Sequence, residues 1–206
     1  SSVRARTMEQ AIDVVGDVGC GYGRAVVGVG IEGGSGDDVR RGVGEGGVDL
    51  NGTTWCGRTS IDFAILCGDN GEVVEALVEG GADANSGGCD PLREAASRGR
   101  SRVCGALIRG GADVNGVNDF GRTALNWAAW YGHLGVCEVL VAGGADVLTV
   151  SKWNQSAAEV ARSKGHVSVA EYLGACLVRE FGERMAPMFI DDRDVAESVL
   201  AQLDFH

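Results

Sequence analysis

The amino-acid sequence predicts an all-α solenoid, in which helix-turn-helix units stack side by side and short loops connect them. One observation is the tetrapeptide Gly-Gly-Ala-Asp, which occurs at residues 80–83, 110–113 and 143–146, with the near copy Gly-Gly-Val-Asp at 46–49. Another is a set of apolar residues with helical spacing that precedes the tetrapeptide. A catalytic motif is normally used once, so a segment that recurs at a nearly constant interval indicates repeated architecture.

The clearest copy spans residues 121–147. Thr123 can cap a short helix, because its hydroxyl accepts a hydrogen bond from an unpaired backbone N–H group. Gly132 can end that helix by adopting a positive φ. A second helix then carries one apolar stripe, formed by Val136, Cys137, Leu140 and Val141. We predict that Gly143 and Gly144 end the second helix, both through left-handed backbone geometry.

The other copies follow the same pattern. Thr59, Asp90 and Ser156 are the capping residues, and Pro91 stands at the first helical position, where its missing N–H group costs nothing. The second-helix stripes are Val73, Val74, Leu77 and Val78; Val103, Cys104, Leu107 and Ile108; and Val169, Ala170 and Leu173. Each helix is predicted to have two or three turns, fewer than the ~12–15 residues that an isolated helix needs. We therefore expect the copies to be stable only when stacked.

These motifs resemble the ankyrin repeat family, whose period is ~33 residues and whose hallmarks include Thr-Pro-Leu-His-x-Ala-Ala and Gly-Ala-Asp-Val-Asn. The resemblance is strong over 57–177 and faint over about 20–51. The family's first-helix histidine is absent, and its places are taken by Asp62, Arg93, Asn126 and Glu159. The resemblance implies a non-catalytic protein–protein interaction module, with a less regular array where that histidine is missing.

The chain divides into a tail at 1–19, an array at 20–177 and a C-terminal segment at 178–206. The array contains a degraded copy at about 20–51, clear copies at about 52–85, 86–117 and 118–150, and a terminal copy at 151–177. Val39 and Val43 fit the second helix of the degraded copy. In the last segment, Val195, Val199, Leu200 and Leu203 share one helical face. We expect a helix there that caps the array. The alternative is that the protein is a scaffold or targeting subunit and that this helix docks to a second protein.

Little in the sequence predicts chemistry. Residues 28–33 match the GxGxxG pattern of dinucleotide sites, but a glycine-rich stretch follows instead of the helix that such a site requires. A nucleotide-binding enzyme is the alternative function; we predict no cofactor. The histidines and cysteines do not cluster, so we predict no metal site and no catalytic residue. His133 and His166 are placed to cap turns between helices, and Cys104 and Cys137 to fill the core.

Composition restricts the partners. The chain carries 18 basic and 29 acidic residues, for a net charge of −11. That excess of negative charge argues against nucleic acid and anionic membranes, and it favours a basic protein partner. No stretch approaches the ~20 apolar residues of a membrane-spanning helix. The seven cysteines are odd in number and form no CxxC pair, so we expect a reduced, intracellular protein in the cytoplasm. We also expect the protein to be a monomer.

The resemblance also implies a binding surface on the loop tips and the outward positions of the first helices, among them Lys164. The residues predicted to bind a partner are Trp55, Arg58, Arg98, Asp119, Phe120, Arg122, Trp130, Tyr131, Lys152 and Trp153. Three of the four tryptophans fall in this set, whereas Trp127 falls at a predicted core position. Aromatic residues and arginine dominate binding hot spots, which favours binding. The alternative is that these rings only pack on neighbouring loops.

Overall fold

A computed structural model describes residues 36–44, 49–53, 57–87 and 90–185 of the chain. Within these ranges the chain forms nine α-helices and no β-strand, which confirms the predicted all-α class. The helices are α1 (Gly36–Gly44), α2 (Ser60–Cys67), α3 (Gly71–Glu79), α4 (Pro91–Ser97), α5 (Ser101–Arg109), α6 (Ala124–Tyr131), α7 (Leu134–Ala142), α8 (Ala157–Ser163) and α9 (Val167–Met185). The glycine motif at 28–33 and the helix predicted around 195–203 lie outside the described residues.

The helices pack in two layers. One layer contains α2, α4, α6 and α8 in succession, and the other contains α1, α3, α5, α7 and α9. Helix α1 packs on α3 in the place of a second helix, and its Val39 is fully buried. One apolar core fills the space between the layers. A leucine at the equivalent position of successive second helices is fully buried in each case, at Leu77, Leu107, Leu140 and Leu173.

Side chains cap the four described first helices, α2, α4, α6 and α8. At α6 the Thr123 hydroxyl accepts from the Asn126 N–H group, and the Asn126 side-chain oxygen accepts from the Thr123 N–H group at 3.0 Å. The same reciprocal pair forms between Thr59 and Asp62 and between Ser156 and Glu159. At α4, Asp90 accepts from the N–H groups of the next turn. Three of the four residues that replace the family's histidine are therefore cap partners, which satisfy N–H groups that would otherwise be unpaired.

The two glycines that end a second helix have different roles. After α7, Gly143 has a negative φ of −82°, and only Gly144 has a positive φ, of +90°. A Cβ atom on Gly143 would lie 2.9 Å from Cδ1 of Ile108 in the preceding copy. The prediction of left-handed geometry at both positions is thus wrong for the first glycine. That glycine is needed because the preceding copy packs against it too closely for a side chain.

An asparagine ladder ties each exit loop to the next, and the sequence did not predict it. The Asn115 side-chain oxygen accepts from the Asp146 N–H group at 2.8 Å, while its nitrogen donates to the Gly144 carbonyl at 3.1 Å. Asn51 and Asn85 make the equivalent bonds to the loops that follow them. The aspartate of each tetrapeptide accepts from the N–H group two residues later. The loops are consequently held in register by paired polar groups.

The last helix is longer than predicted. Helix α9 has 19 residues, whereas the sequence indicated two or three turns. Cys176 stands where Gly143 stands in the preceding copy, so the glycine pair that ends the other second helices is missing. Cys176 is buried and Leu177 packs on the core. The boundary proposed at residue 177 therefore falls inside α9.

Candidate functional site

The loops that precede α6 and α8 lie side by side. In the first loop, the Asn118 side-chain oxygen accepts from the N–H groups of Phe120 and Arg122, each at 3.0 Å. The Lys152 N–H group of the second loop donates to the Phe120 carbonyl at 3.1 Å. These bonds bring the tips of two successive copies together, so side chains from both copies can form one surface.

Phe120 and Trp153 stack on each other at these tips. Their ring centroids are 5.7 Å apart, and their planes meet at 20°. Even in the stack, Phe120 is 55% exposed and Trp153 is 53% exposed. Tyr131, the other exposed aromatic side chain in the described part of the protein, lies at the end of α6. The exposed aromatic surface of the described array is therefore concentrated in one region.

The Arg122 guanidinium lies among three tryptophan rings. Its Cζ atom is 4.7 Å from the ring centroid of Trp153, 4.8 Å from that of Trp130 and 5.3 Å from that of Trp127. Each such contact at an exposed site contributes about 0.5–1 kcal/mol. Because these rings belong to α6 and to the second loop, one side chain connects both copies.

Lys164 and Tyr131 complete the site. The Lys164 Nζ atom, directly after α8, is 3.5 Å from the ring centroid of Trp130. The ring of Tyr131 stacks on Trp127 at 6.1 Å and on His133 at 6.2 Å. We name the following residues the aromatic cluster: Phe120, Arg122, Trp127, Trp130, Tyr131, Trp153 and Lys164.

Sequence comparison agrees with this architecture. A family model for ankyrin repeats, in three copies, matches residues 61–151 and 92–179, which together cover more than half of the chain. The chain belongs to the ankyrin repeat family. A search of curated proteins finds no significant match. Ankyrin repeats are generally protein–protein interaction modules, and ankyrin repeat proteins are typically non-catalytic.

The ankyrin array brings together half of the residues predicted to bind, namely Phe120, Arg122, Trp130, Tyr131 and Trp153. Asp119 and Lys152 are exposed on the same two loops. Arg98 lies apart, at the end of α4, where its guanidinium bonds to the Glu94 carboxylate at 2.6 Å. Arg58 is half-buried ahead of α2, and Trp55 lies outside the described residues.

The prediction that Trp127 belongs to the core is wrong. Its side chain is only half-buried, and it stacks on Tyr131 under the Arg122 guanidinium. Residues three and four positions apart share a face of a helix, so outward positions at Trp130 and Tyr131 already indicated an outward Trp127. Lys164 was predicted to lie on the binding surface, but its contact with Trp130 was not predicted. Its contact with Trp130 depends on how two copies stack, which no spacing within one copy reveals.

The cations near α4 differ from those of the two loop tips and the end of α8. Arg93 and Arg98 near α4 pair with Asp90 and Glu94, at 2.9 and 2.6 Å. Within the described residues, by contrast, Arg122, Lys152 and Lys164 make no ion pair with a carboxylate. The first group is neutralised by its own helix. The second group keeps its positive charge on the surface.

Two cysteines of the described array have unreactive thiols. Burial raises the pKa of the thiols of Cys104 and Cys137 to about 12, so both thiols are neutral at neutral pH and are poor nucleophiles. Both pack in the core, as predicted. The described residues contain no group of three or more histidines, cysteines and carboxylates that could hold a metal ion. None of the described helices is long and apolar enough to cross a membrane.

Proposed function

We propose that this ankyrin array is a non-catalytic module that binds a protein partner over the loop tips and first helices, with the aromatic cluster at the centre of the contact. The observation that carries the proposal is the exposed stack of Phe120 on Trp153. Burying such rings against a partner gains about 25 cal/mol for each Å² of apolar surface removed from water. Aromatic side chains in clusters of this kind are common anchors in interfaces.

Packing within the array explains the positions of only some residues of the aromatic cluster. Trp127 and Trp130 are half-buried and contact Arg122, so they stabilise the array in the absence of a partner. Phe120, Tyr131 and Trp153 each leave about half of their surface in water. Their exposure and their shared location support a role in binding. We assign Asp119 and Lys152 to the rim of the same contact, and Arg58, Arg98 and Trp55 to its extension along the array.

The proposal is tested by affinity capture with the purified chain, followed by affinity measurements on the captured protein. Trp153→Ala should weaken binding by about thirtyfold, because truncating a central aromatic anchor costs ~2 kcal/mol or more. The matched control is Val167→Ala, which truncates an exposed apolar side chain in the other layer. It should leave the affinity unchanged. If Trp153→Ala lowers the melting temperature and leaves the affinity intact, the ring serves packing and the proposal is wrong.

Two alternatives depend on residues outside the described ranges. A nucleotide-binding enzyme would use the glycine motif at 28–33, and a scaffold subunit would use a docking helix within 178–206, of which only the part up to residue 185 is described. No contact among the described residues favours either. We also propose that the protein is intracellular, cytoplasmic and monomeric. Cys104, Cys137 and Cys176 are free thiols, as is usual for a protein in a reducing compartment.

A further inference from the structure

The cations of the aromatic cluster, the exposed Lys164 and the half-buried Arg122, have unused hydrogen-bonding capacity. The Arg122 guanidinium and the Lys164 ammonium contact tryptophan rings, but among the described residues their nitrogen atoms donate to no oxygen. A ring face attracts a cation, but it does not accept hydrogen bonds from all of the N–H groups of that cation. Arginine has five such donors and lysine has three. The cluster therefore offers charged donors that the array itself leaves for another molecule.

Carboxylates close to the cluster do not cancel this charge. Asp119 is exposed on the first loop, yet it lies outside ion-pair distance of the cluster's cations. The carboxylate of Glu159 in α8 accepts from the N–H group of Ser156 at 2.8 Å and forms no ion pair with a cation of the described residues. Arg122, Lys152 and Lys164 consequently form a small cationic surface on a chain whose net charge is −11.

This local surface indicates a partner of different charge from the one that the whole chain suggests. At physiological salt, the electrostatic effect of the chain's net charge is screened beyond roughly 8 Å. A contact is decided by the groups that touch. A basic side chain at the cluster would meet like charges, and it would find the ring of Trp130 already in contact with Arg122 and Lys164. An acidic side chain would meet unpaired donors.

We infer that the aromatic cluster binds an acidic peptide segment of a protein partner, an inference that rests on the proposed function of the array. Carboxylates of the segment pair with Arg122 and Lys164, and an apolar side chain of the segment covers the stack of Phe120 and Trp153. Charge-assisted bonds between arginine and carboxylate are among the stronger hydrogen bonds in proteins. A nucleic acid is a poorer occupant, because it needs an extended basic track and this surface is small.

The experiment begins with a selection of displayed random dodecapeptides on the purified full chain. Enriched peptides should be acidic and should contain an aromatic or aliphatic residue. Labelled copies of these peptides are then titrated by fluorescence anisotropy with Arg122→Gln, Lys164→Gln and the control Arg179→Gln. Arg179 is an exposed cation on α9, in the other layer. Arg122→Gln and Lys164→Gln should each weaken binding by about tenfold, as expected for hydrogen bonds to charged groups, and Arg179→Gln should have no effect.

Two further measurements separate the possible failures. Melting curves show whether each variant folds; Lys164 is exposed, so its substitution keeps the test valid if Arg122→Gln unfolds. Trp153→Ala reports whether the selected peptides use the cluster at all. Basic or neutral peptides that lose affinity with Trp153→Ala overturn the acidic partner and leave the proposed function intact. Peptides whose affinity does not change with Trp153→Ala, or a selection without enrichment, count against both the acidic partner and the proposed function. Binding of a single-stranded oligonucleotide that depends on Arg122, without acidic peptides, overturns the inference in favour of nucleic acid.

Discussion

The copy built on α4 and α5 and the copy built on α6 and α7 share their interior and differ on their outward face. Leu92 and Leu125 occupy equivalent positions of α4 and α6, and each is 1% exposed. Where α4 ends with Ser97 and the chain continues into Arg98, α6 carries Trp130 and Tyr131 at the equivalent positions. The same scaffold thus presents a polar surface in one copy and an aromatic surface in the next.

The charges of the two copies differ in the same way. On the first helix of the α4 copy, Arg93 and the adjacent Arg98 are paired with carboxylates of the same helix or its cap, at Asp90 and Glu94. In the α6 copy, Arg122 contacts tryptophan rings instead. Buried positions specify the stack, and a few outward positions distinguish one copy from another.

The largest expected effect concerns the shared interior. Leu92→Ala and Leu125→Ala each remove a fully buried side chain, so each should lower the free energy of unfolding by ~2–5 kcal/mol. Urea denaturation measures both. Partner affinity should change only where the variant unfolds. A large loss for one leucine and none for the other would contradict the equivalence of the two copies.

The smallest expected effect concerns the caps. Burial raises the pKa of Asp62 above its ordinary value of 3.8, although hydrogen bonds from Thr59 oppose the shift. The charged form of Asp62 is thus disfavoured in the folded array, and at neutral pH this lowers the free energy of unfolding. This destabilisation decreases as the pH falls through the raised pKa towards 3.8. Asn126 makes the equivalent reciprocal cap in α6 with a neutral amide.

Asp62→Asn should therefore keep the cap and raise the free energy of unfolding at pH 7 by less than about 1 kcal/mol. The gain should shrink at about pH 4, where the wild-type carboxyl is partly protonated in the folded state. Glu159→Gln, the same exchange at an exposed cap in α8, is the matched control. Chemical denaturation at both pH values measures the difference. A loss of stability at pH 7 would show that the charge, and not the hydrogen bond, makes the cap.

The repeat pattern made most of the fold predictable. Caps such as Thr123 and the apolar stripes of the second helices depend on neighbours in sequence, so short-range spacing reveals them. The asparagine ladder and the close approach of Ile108 to Gly143 join different copies, and a pattern within one copy cannot show such contacts. The same limit applies to the site. The outward aromatics were predictable, whereas the pairing of Lys164 with Trp130 depends on the stacking of two copies.

A substitution of Trp130 does not by itself separate folding from binding. Its ring is half-buried and contacts two cations, so truncating it would lower the stability of the array as well as remove the proposed contact with a partner.

The most direct test of the binding surface is amide hydrogen exchange of the array with and without its captured partner. We predict that protection rises in residues 118–122, in residues 151–155 and along α6. The second-helix layer of α5, α7 and α9 should exchange as it does in the free array. Protection confined to that second layer would place the partner on the opposite face and contradict a binding role for the aromatic cluster.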